Sequence, residues 1–233
     1  MDRRKFSSLG LIVVAAGLLG PGRSRSLTLD ELSQSEAVRG LKAALDRGAR
    51  NAVAKLGQVN GFLGNDAVRI PLPPQLRDAQ SWLRRFGQGE RLDELVTSMN
   101  RAAEAAVPLA QELMLAAVRG MTVGDAKTIL EGGDTSVTRF FADKTRAPLT
   151  RKFLPAVTRS TERVGVVSQY HQLAGRAADY GLMNREDARI EPYVTGKALD
   201  GLYHIIGEEE RKIRRDPVGT GSALLSKVFG ALR

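Results

Sequence analysis

The chain has 233 residues, a length that suits one domain or at most two. Aromatic residues make up only 5% of it and cysteine is absent, so the composition favours packed helices over a β-sandwich. Disulfides, thiolate metal sites and cysteine nucleophiles are excluded. Lys and Arg number 35 against 26 acidic residues, a net charge of +9 at pH 7.

The first 26 residues have the pattern of a cleaved export signal. Residues 3–5 are basic, and the apolar stretch 9–20 that follows is too short to cross a bilayer. Small residues come next, which predicts cleavage after Ser24 or Ser26. We therefore expect an exported, periplasmic protein.

Two export routes stay open for this signal. The opening Arg3-Arg4-Lys5-Phe6 resembles a twin-arginine signal, whereas an ordinary secretory signal could carry the arginine pair by chance. An uncleaved N-terminal anchor is the remaining alternative. Because no cysteine follows the apolar stretch, a bacterial lipid anchor there is excluded.

Removal of the signal would lower the net charge. The signal holds five basic residues and one acidic residue, which leaves 30 basic and 25 acidic residues, a net charge of +5. This modest excess is not typical of a nucleic-acid-binding protein, and we do not expect nucleic acid as a partner. No later segment is apolar over enough residues to span a bilayer, so we expect no transmembrane helix in the mature chain.

The first predicted helix follows the signal. Thr28 and Glu31 have capping-box spacing, which is typical of a helix N-terminus. Apolar residues then recur every three or four positions as far as Leu56, and Gly57 ends the pattern. One apolar face is therefore predicted along this helix.

Residues 58–73 form a long connection. Asn60-Gly61 and Gly64-Asn65 are turn dipeptides, and Pro71 argues against a central strand. Long connections in a helical domain are often functional or folded over the core. The dipeptide Phe62-Leu63 favours the second interpretation, an apolar plug against the helices.

The remaining residues alternate between helical periodicity and breaks. The predicted boundaries are Pro73-Pro74, Gly87–Gly89, Pro108, Gly120, Thr122, Gly132-Gly133 and a cap at Asp134 or Thr135. We expect Pro108 to kink or restart its helix, and Pro148 and Pro155 to divide the next long stretch. The sequence predicts an all-α fold, a single bundle-like domain of about eight or nine helices over residues 27–233.

The C-terminal part contains a charged run and a glycine-rich corner. Glu210 and Arg214 have the acid-first i,i+4 spacing of a solvated helix face. Residues 219–221 could offer backbone N–H groups to an anion, but a Walker loop needs a preceding strand and a lysine directly after its second glycine. A glycine-assisted corner between two helices is the preferred interpretation.

Five segments together resemble a known family. They are NGFLGNDAVRIPLP (60–73), NRAAEAAVP (100–108), ILEGGDTSVTRFF (129–141), YVTGKALDGLYHIIGEEERKIRRDP (193–217) and GTGSALLSKVFG (219–230). Their order and spacing are similar to an uncharacterised family of bacterial exported proteins, domain of unknown function four-one-nine-seven. The resemblance implies a helical fold and export to the periplasm or envelope. It implies no activity, substrate or catalytic residue.

The two histidines are weak candidates for chemistry. His204 and Glu208 are four residues apart on a predicted helix and could face one metal ion, but no third ligand stands near them in the sequence. A hydrogen-bonded, partly buried histidine is the alternative. His171 has no serine and acid arranged around it for nucleophilic catalysis. We expect no metal and no cofactor.

Residues 139–163 hold seven basic residues and two acidic ones, a net charge of +5. The candidate anion contacts among them are Arg139, Lys144, Arg146, Arg151, Lys152 and Arg159. A basic helix with an apolar side could contact anionic lipid headgroups or an acidic envelope protein. The alternative is an ordinary surface helix whose apolar residues lie in the core.

Three functions therefore remain open from the sequence. The first is a non-catalytic periplasmic or envelope protein that binds an anionic or apolar component through the basic segment. The second is an enzyme whose site is assembled from scattered residues, for example His204, Glu208 and the connection at 60–70, and a deep polar pocket lined by them would favour it. The third is a structural or assembly partner, which requires an exposed apolar patch.

Overall fold

The computed structural model describes residues 34–162, 165–179, 184 and 189–216, and within them the regular structure is entirely helical. Eight α-helices follow one another: α1 (Gln34–Gly57), α2 (Pro74–Arg85), α3 (Gly89–Ala106), α4 (Ala110–Arg119), α5 (Val123–Glu131), α6 (Ser136–Thr161), α7 (Gly165–Asp179) and α8 (Ile190–Arg215). The predicted all-α fold is confirmed.

Several sequence predictions fall on other parts of the chain. The signal peptide with its cleavage candidates Ser24 and Ser26 lies outside the described residues. So do the cap at Thr28 and the glycine corner at 219–221. Among the described helices, none combines the length and the apolar character needed to cross a membrane.

Helices α6 and α8 pack along each other at the centre of the molecule. α1 and α3 pack on this pair, α4 lies against α1 and α6, and α5 lies against α6. The apolar residues of α8 recur at the predicted three- and four-residue spacing, and all are buried: Ile190, Val194, Ala198, Leu202, Ile205, Ile206 and Ile213. Burial removes these apolar side chains from water, and this hydrophobic effect is the main force that holds α8 in the core.

The prolines behave in two different ways. Pro108 lies in a 3-10 turn, Val107–Leu109, which restarts the chain between α3 and α4 as predicted. Pro148 and Pro155 were predicted to divide a helix, and that prediction is wrong because both lie inside the continuous helix α6. A proline inside a helix costs about 3 kcal/mol. Burial of apolar side chains along α6 offsets this cost at about 1.5–3 kcal/mol each, and those with no exposed surface are Phe141, Leu149, Phe153 and Val157.

The N-terminus of α6 is capped from another helix. Thr135 occupies the N-cap position, but its side chain makes no capping hydrogen bond. Instead the Glu210 carboxylate of α8 accepts hydrogen bonds from the backbone N–H groups of Val137 (3.1 Å) and Thr138 (3.2 Å). Arg214 donates to the same carboxylate at 3.0 Å. Glu210 is 3% exposed, so it does not lie on the solvated face that the sequence predicted.

The connection at 58–73 is packed against the helices, as its apolar residues predicted. Phe62 and Ile70 are buried, with 0% and 1% of their surface exposed. Glu104 of α3 accepts hydrogen bonds from the backbone N–H groups of Phe62 (3.0 Å) and Leu63 (3.1 Å). These bonds fix the connection to α3 and give its polar backbone atoms partners inside the protein.

Candidate functional site

A cleft of about 730 Å³ lies between α3 and α6. It is called the arginine cleft here because Arg101 of α3 and Arg159 of α6 both line it, together with the hydroxyl side chains Thr97, Ser98 and Ser160 and four apolar residues. None of the residues that line it is acidic. Arg101 is paired with Glu104, so Arg159 supplies the uncompensated positive charge that attracts an anion to this cleft.

Arg101 is held in place by the connection that precedes α2. Its Nη1 lies 2.7 Å from Glu104 Oε2, and its Nη2 donates to Asn60 Oδ1 at 2.9 Å. Asn60 has a φ of 66°, a left-handed conformation that asparagine tolerates better than most residues. The guanidinium is therefore positioned before any ligand arrives, and 39% of the side chain stays exposed.

Arg159 is the freer of the two arginines. Its side chain is exposed, and it makes neither a hydrogen bond nor an ion pair within the part of the chain that the structure describes. Of the six predicted anion contacts, it is the one that lines the arginine cleft. It shares that cleft with Arg101, and no acidic residue lines it. Arg159 is therefore the predicted residue with the clearest capacity to bind an anion.

The three hydroxyl groups of the arginine cleft are used within their own helices. Thr97 donates to Asp93 O (2.9 Å), Ser98 to Glu94 O (2.8 Å) and Ser160 to Ala156 O (3.0 Å), all four residues back. In this arrangement the hydroxyl oxygens keep free acceptor sites, while the donors belong to the arginines.

A second cleft, of about 420 Å³, adjoins Arg159 on the other side. It is called the proline cleft here because Pro155 of α6 and Pro192 of α8 line it, with Leu154, Thr158, Arg159 and Arg189. Arg189 lies 3.5 Å from the carboxylate of Glu191, which is 1% exposed and partly offsets its charge. Arg159 lines both clefts, so the two are neighbours along α6.

Three of the other predicted anion contacts are paired with acidic residues on three different helices. Lys144 lies 3.6 Å from Asp125 of α5, Arg146 lies 2.9 Å from Asp200 of α8, and Lys152 lies 3.5 Å from Glu112 of α4. Arg146 also lies over the ring of Tyr203, 5.0 Å from its centroid. These basic residues therefore join α6 to its neighbours and do not form one basic face.

The last two predicted contacts differ from Arg159 in their surroundings. Arg139 lines a cleft of about 460 Å³ between α5 and α6, where Asp125 and Asp143 balance the charges of Arg139 and Lys144. Arg151 is exposed and lines none of the clefts described here. It is a useful control because it differs from Arg159 in position and not in charge.

His204 and Glu208 lie on α8, beside α1. His204 Nε2 is 3.5 Å from Glu208 Oε1, and Lys55 of α1 donates to Glu208 Oε2 at 3.1 Å. Partial burial acts to raise the pKa of Glu208, but the hydrogen bond and charge of Lys55 outweigh it, so the net shift is downward. Neither residue lines the arginine cleft, the proline cleft or the cleft at Arg139.

His171 faces a buried carboxylate that the sequence did not reveal. Its Nε2 lies 3.3 Å from Glu191 Oε2 and 3.4 Å from the backbone N of Ile190, at the start of α8. Over the described residues, no three His, Asp or Glu side chains come together as a metal site. This contact therefore ties α7 to the first turn of α8.

Arg101 is the functional candidate that sequence reasoning missed. In the sequence it stands three residues before Glu104, an ordinary spacing for a helix-surface pair. Only the packing of α3 on α6 shows that it shares a cleft with Arg159. The available signal was its place in NRAAEAAVP, one of the five segments that carried the family resemblance.

The family comparison agrees with that resemblance. The family described as "Protein of unknown function (DUF4197)" matches residues 31–230. The chain belongs to this family. The DUF4197 match covers all eight described helices and both arginines of the cleft, but its description assigns no activity. Comparisons with curated proteins and with solved structures gave no match.

Proposed function

We propose that this DUF4197 protein is a non-catalytic protein of the periplasm or envelope that binds an anionic component through the basic segment of α6. The observation that carries the proposal is the arginine cleft, which Arg159 and Arg101 both line, which has no acidic lining residue, and in which Arg159 has no acidic partner among the described residues. The export-signal pattern at residues 3–20 supports the location.

The chemistry of the cleft favours a phosphate or carboxylate group. Guanidinium groups present several N–H donors in a planar fork that matches the oxygens of these anions. Arg101 already donates to Glu104 and Asn60, so its orientation costs little entropy on binding. Arg159 supplies the uncompensated charge and the freedom to close on the anion.

The surroundings explain why the other basic residues are weaker candidates. A ligand at Arg146 would compete with Asp200 at 2.9 Å, and one at Lys152 would compete with Glu112 at 3.5 Å. Such surface pairs are individually weak, but each lowers the positive potential that an anion would meet. Arg159 has no comparable competitor among the described residues.

Two measurements on the full chain test the proposal and separate a soluble anion from a lipid headgroup. Titration with inorganic phosphate at low salt, followed by calorimetry, tests the soluble form. Co-sedimentation with phosphatidylglycerol vesicles, against neutral phosphatidylcholine vesicles, tests the lipid form. We expect binding in at least one of the two, with a loss of about tenfold in Arg159→Gln or Arg101→Gln.

Arg151→Gln is the matched control because it removes the same charge from the same helix outside the clefts. It should keep nearly full affinity. If all three variants weaken binding equally, the attraction is a general effect of net charge and the cleft is not the site. If wild-type protein binds neither probe, the proposal is wrong.

The enzyme hypothesis keeps no supporting observation in the described residues. A polar pocket lined by His204, Glu208 and the connection at 60–70 would have favoured it. The structure packs Phe62 of that connection into the core, His204 pairs with Glu208, and Glu208 pairs with Lys55.

A further inference from the structure

We propose that the anionic ligand is an amphiphile, whose charged group binds between Arg101 and Arg159 and whose alkyl part lies in the proline cleft. The inference rests on the proposed function and adds the chemical class of the ligand. Its starting point is that Arg159 lines both clefts, so that a molecule held at Arg159 meets both surfaces.

The two clefts offer different chemistry on either side of Arg159. The arginine cleft is lined by two cations and three hydroxyls. The proline cleft is lined by Leu154, Pro155 and Pro192, with Thr158 as its one hydroxyl and with Arg159 and Arg189 as its cations. Because proline has no backbone N–H, this wall has few donors for a second polar group. An alkyl chain needs no donor, so it gives up no hydrogen bond at this wall.

Exposed apolar surface in the proline cleft supports this assignment. Leu154 is 38% exposed, and it is one of four large apolar side chains that are exposed among the described residues. Pro155 and Pro192 are exposed as well. An exposed leucine flanked by two exposed prolines next to an arginine is the pattern expected where a chain covers the apolar wall and its head group pairs with the cation.

The dimensions fit a short alkyl chain. Leu154 and Arg159 are five residues apart on one helix, about 7.5 Å along its axis. The volume of about 420 Å³ is within the usual range of small-molecule sites. A head group at Arg159 would therefore place the first several carbons of its chain against Leu154.

A second anionic group in the proline cleft is the competing arrangement. Arg189 is the cation that would bind it, but Glu191 lies 3.5 Å from Arg189 and already offsets its charge. Arg159, the other cation of this cleft, is already used by the head group. The remaining lining residues supply one side-chain hydroxyl, Thr158, which donates to Leu154 O at 2.8 Å. The apolar chain is therefore the better match.

The test compares ethyl phosphate with octyl phosphate, kept below the concentration at which it self-associates, by calorimetry on the full chain. We expect octyl phosphate to bind wild-type protein at least about tenfold more tightly, since each half-buried methylene contributes roughly a factor of two. Leu154→Ser should remove this advantage and leave ethyl phosphate binding unchanged. Arg159→Gln should lower the affinity for both ethyl phosphate and octyl phosphate.

Val123→Ser is the matched control, because Val123 is also exposed (51%) and lies on α5 outside both clefts. It should keep the preference for octyl phosphate. Octyl glucoside, which has the same chain and no charge, should bind weakly. Equal affinity for ethyl and octyl phosphate would overturn the amphiphile and leave the anion site standing, whereas no binding of either would overturn both.

Discussion

The Asn100 carboxamide makes both of the hydrogen bonds that a neighbouring strand would make to Ile70. Its Oδ1 accepts from the Ile70 backbone N–H at 2.8 Å, and its Nδ2 donates to the Ile70 carbonyl at 2.9 Å. Both residues are buried, with 0% and 1% of their surface exposed. A single side chain of α3 thus replaces the backbone partner that this extended segment lacks.

Asn100→Leu should destabilise the protein by about 2–4 kcal/mol, because it leaves the N–H and the carbonyl of Ile70 buried without their partner. Urea denaturation followed by circular dichroism measures the change. Thr97→Ala on the exposed side of the same helix should change stability by less than about 0.5 kcal/mol. A loss below about 1 kcal/mol in Asn100→Leu would contradict this account.

Gly201 of α8 leaves room for Phe62. A Cβ at position 201 would lie 2.7 Å from Cε1 of the buried ring and 3.2 Å from Val68 Cβ. Gly201→Ala should therefore cost about 1–3 kcal/mol through overpacking, despite the higher helix propensity of alanine. The midpoint of thermal unfolding reports the change.

Gly196 on the same helix is the control for Gly201. A Cβ there would have no neighbour within 4 Å, so Gly196→Ala should stabilise the protein by up to about 1 kcal/mol. The two substitutions are chemically identical and should have opposite signs. The same sign for both would show that packing against Phe62 does not decide the outcome.

Glu210→Ala should cost about 3–5 kcal/mol. It removes the acceptor for two N–H groups of α6 and leaves Arg214, whose side chain is 14% exposed, without its carboxylate. Glu210→Gln keeps an acceptor and should cost less. Glu131 pairs with Lys127 at the surface, and its side chain is 63% exposed. The free energy of unfolding of Glu131→Gln should therefore be within about 0.5 kcal/mol of wild type in the same denaturation experiment.

The contribution of Asp125 should depend on pH. Hydrogen bonds from the backbone N–H and the hydroxyl of Thr122 lower the pKa of Asp125 below its ordinary value of 3.8. A carboxyl with a lowered folded-state pKa stabilises above its unfolded pKa, and this contribution is lost as pH falls through the folded value. Asp125→Ala should cost about 1 kcal/mol at pH 7, and the difference from wild type should shrink below pH 3.8.

Thr122→Ala provides the check on that mechanism. With the hydroxyl removed, the pKa of Asp125 should rise toward its ordinary value, and the pH-dependent part of the Asp125→Ala effect should become smaller. Acid titrations of wild type, Thr122→Ala, Asp125→Ala and the double variant measure this pH-dependent part. A difference that stays constant from pH 7 to acid would show that the carboxylate charge is not involved.

The sequence predicted the features that local chemistry determines. The apolar spacing of α8, the restart at Pro108 and the cap at Thr122 depend on residues within a turn or two of one another. The plug at Phe62 was predictable because a phenylalanine in a polar connection is more stable out of water.

The interpretation of α6 was wrong for a physical reason. This helix packs against α3, α4, α5 and α8, so its buried residues are spread around it and leave no single apolar face. Because the sequence of α6 shows no apolar stripe that would predict one continuous helix, Pro148 and Pro155 were the strongest local signals. Packing on several sides overrides them, and that packing is set by residues distant in sequence.

The arginine cleft could not be predicted for a related reason. A basic segment shows how much charge is present, but ion pairs made with other helices decide how much remains for a ligand. Asp200 and Glu112 neutralise Arg146 and Lys152 from α8 and α4. The partner of Arg159 in its cleft, Arg101, is on a helix whose orientation only the fold defines.

The contact of Phe62 with Gly201 also has a consequence for synthesis of the chain. The ribosome releases Phe62 well before Gly201, so the phenylalanine lacks its packing against α8 until residue 201 has emerged. A nascent chain that stops before α8 would present this ring and its apolar neighbours to water, where chaperones or other unfinished chains can bind them. Burial of Phe62 is thus completed only when α8 is present.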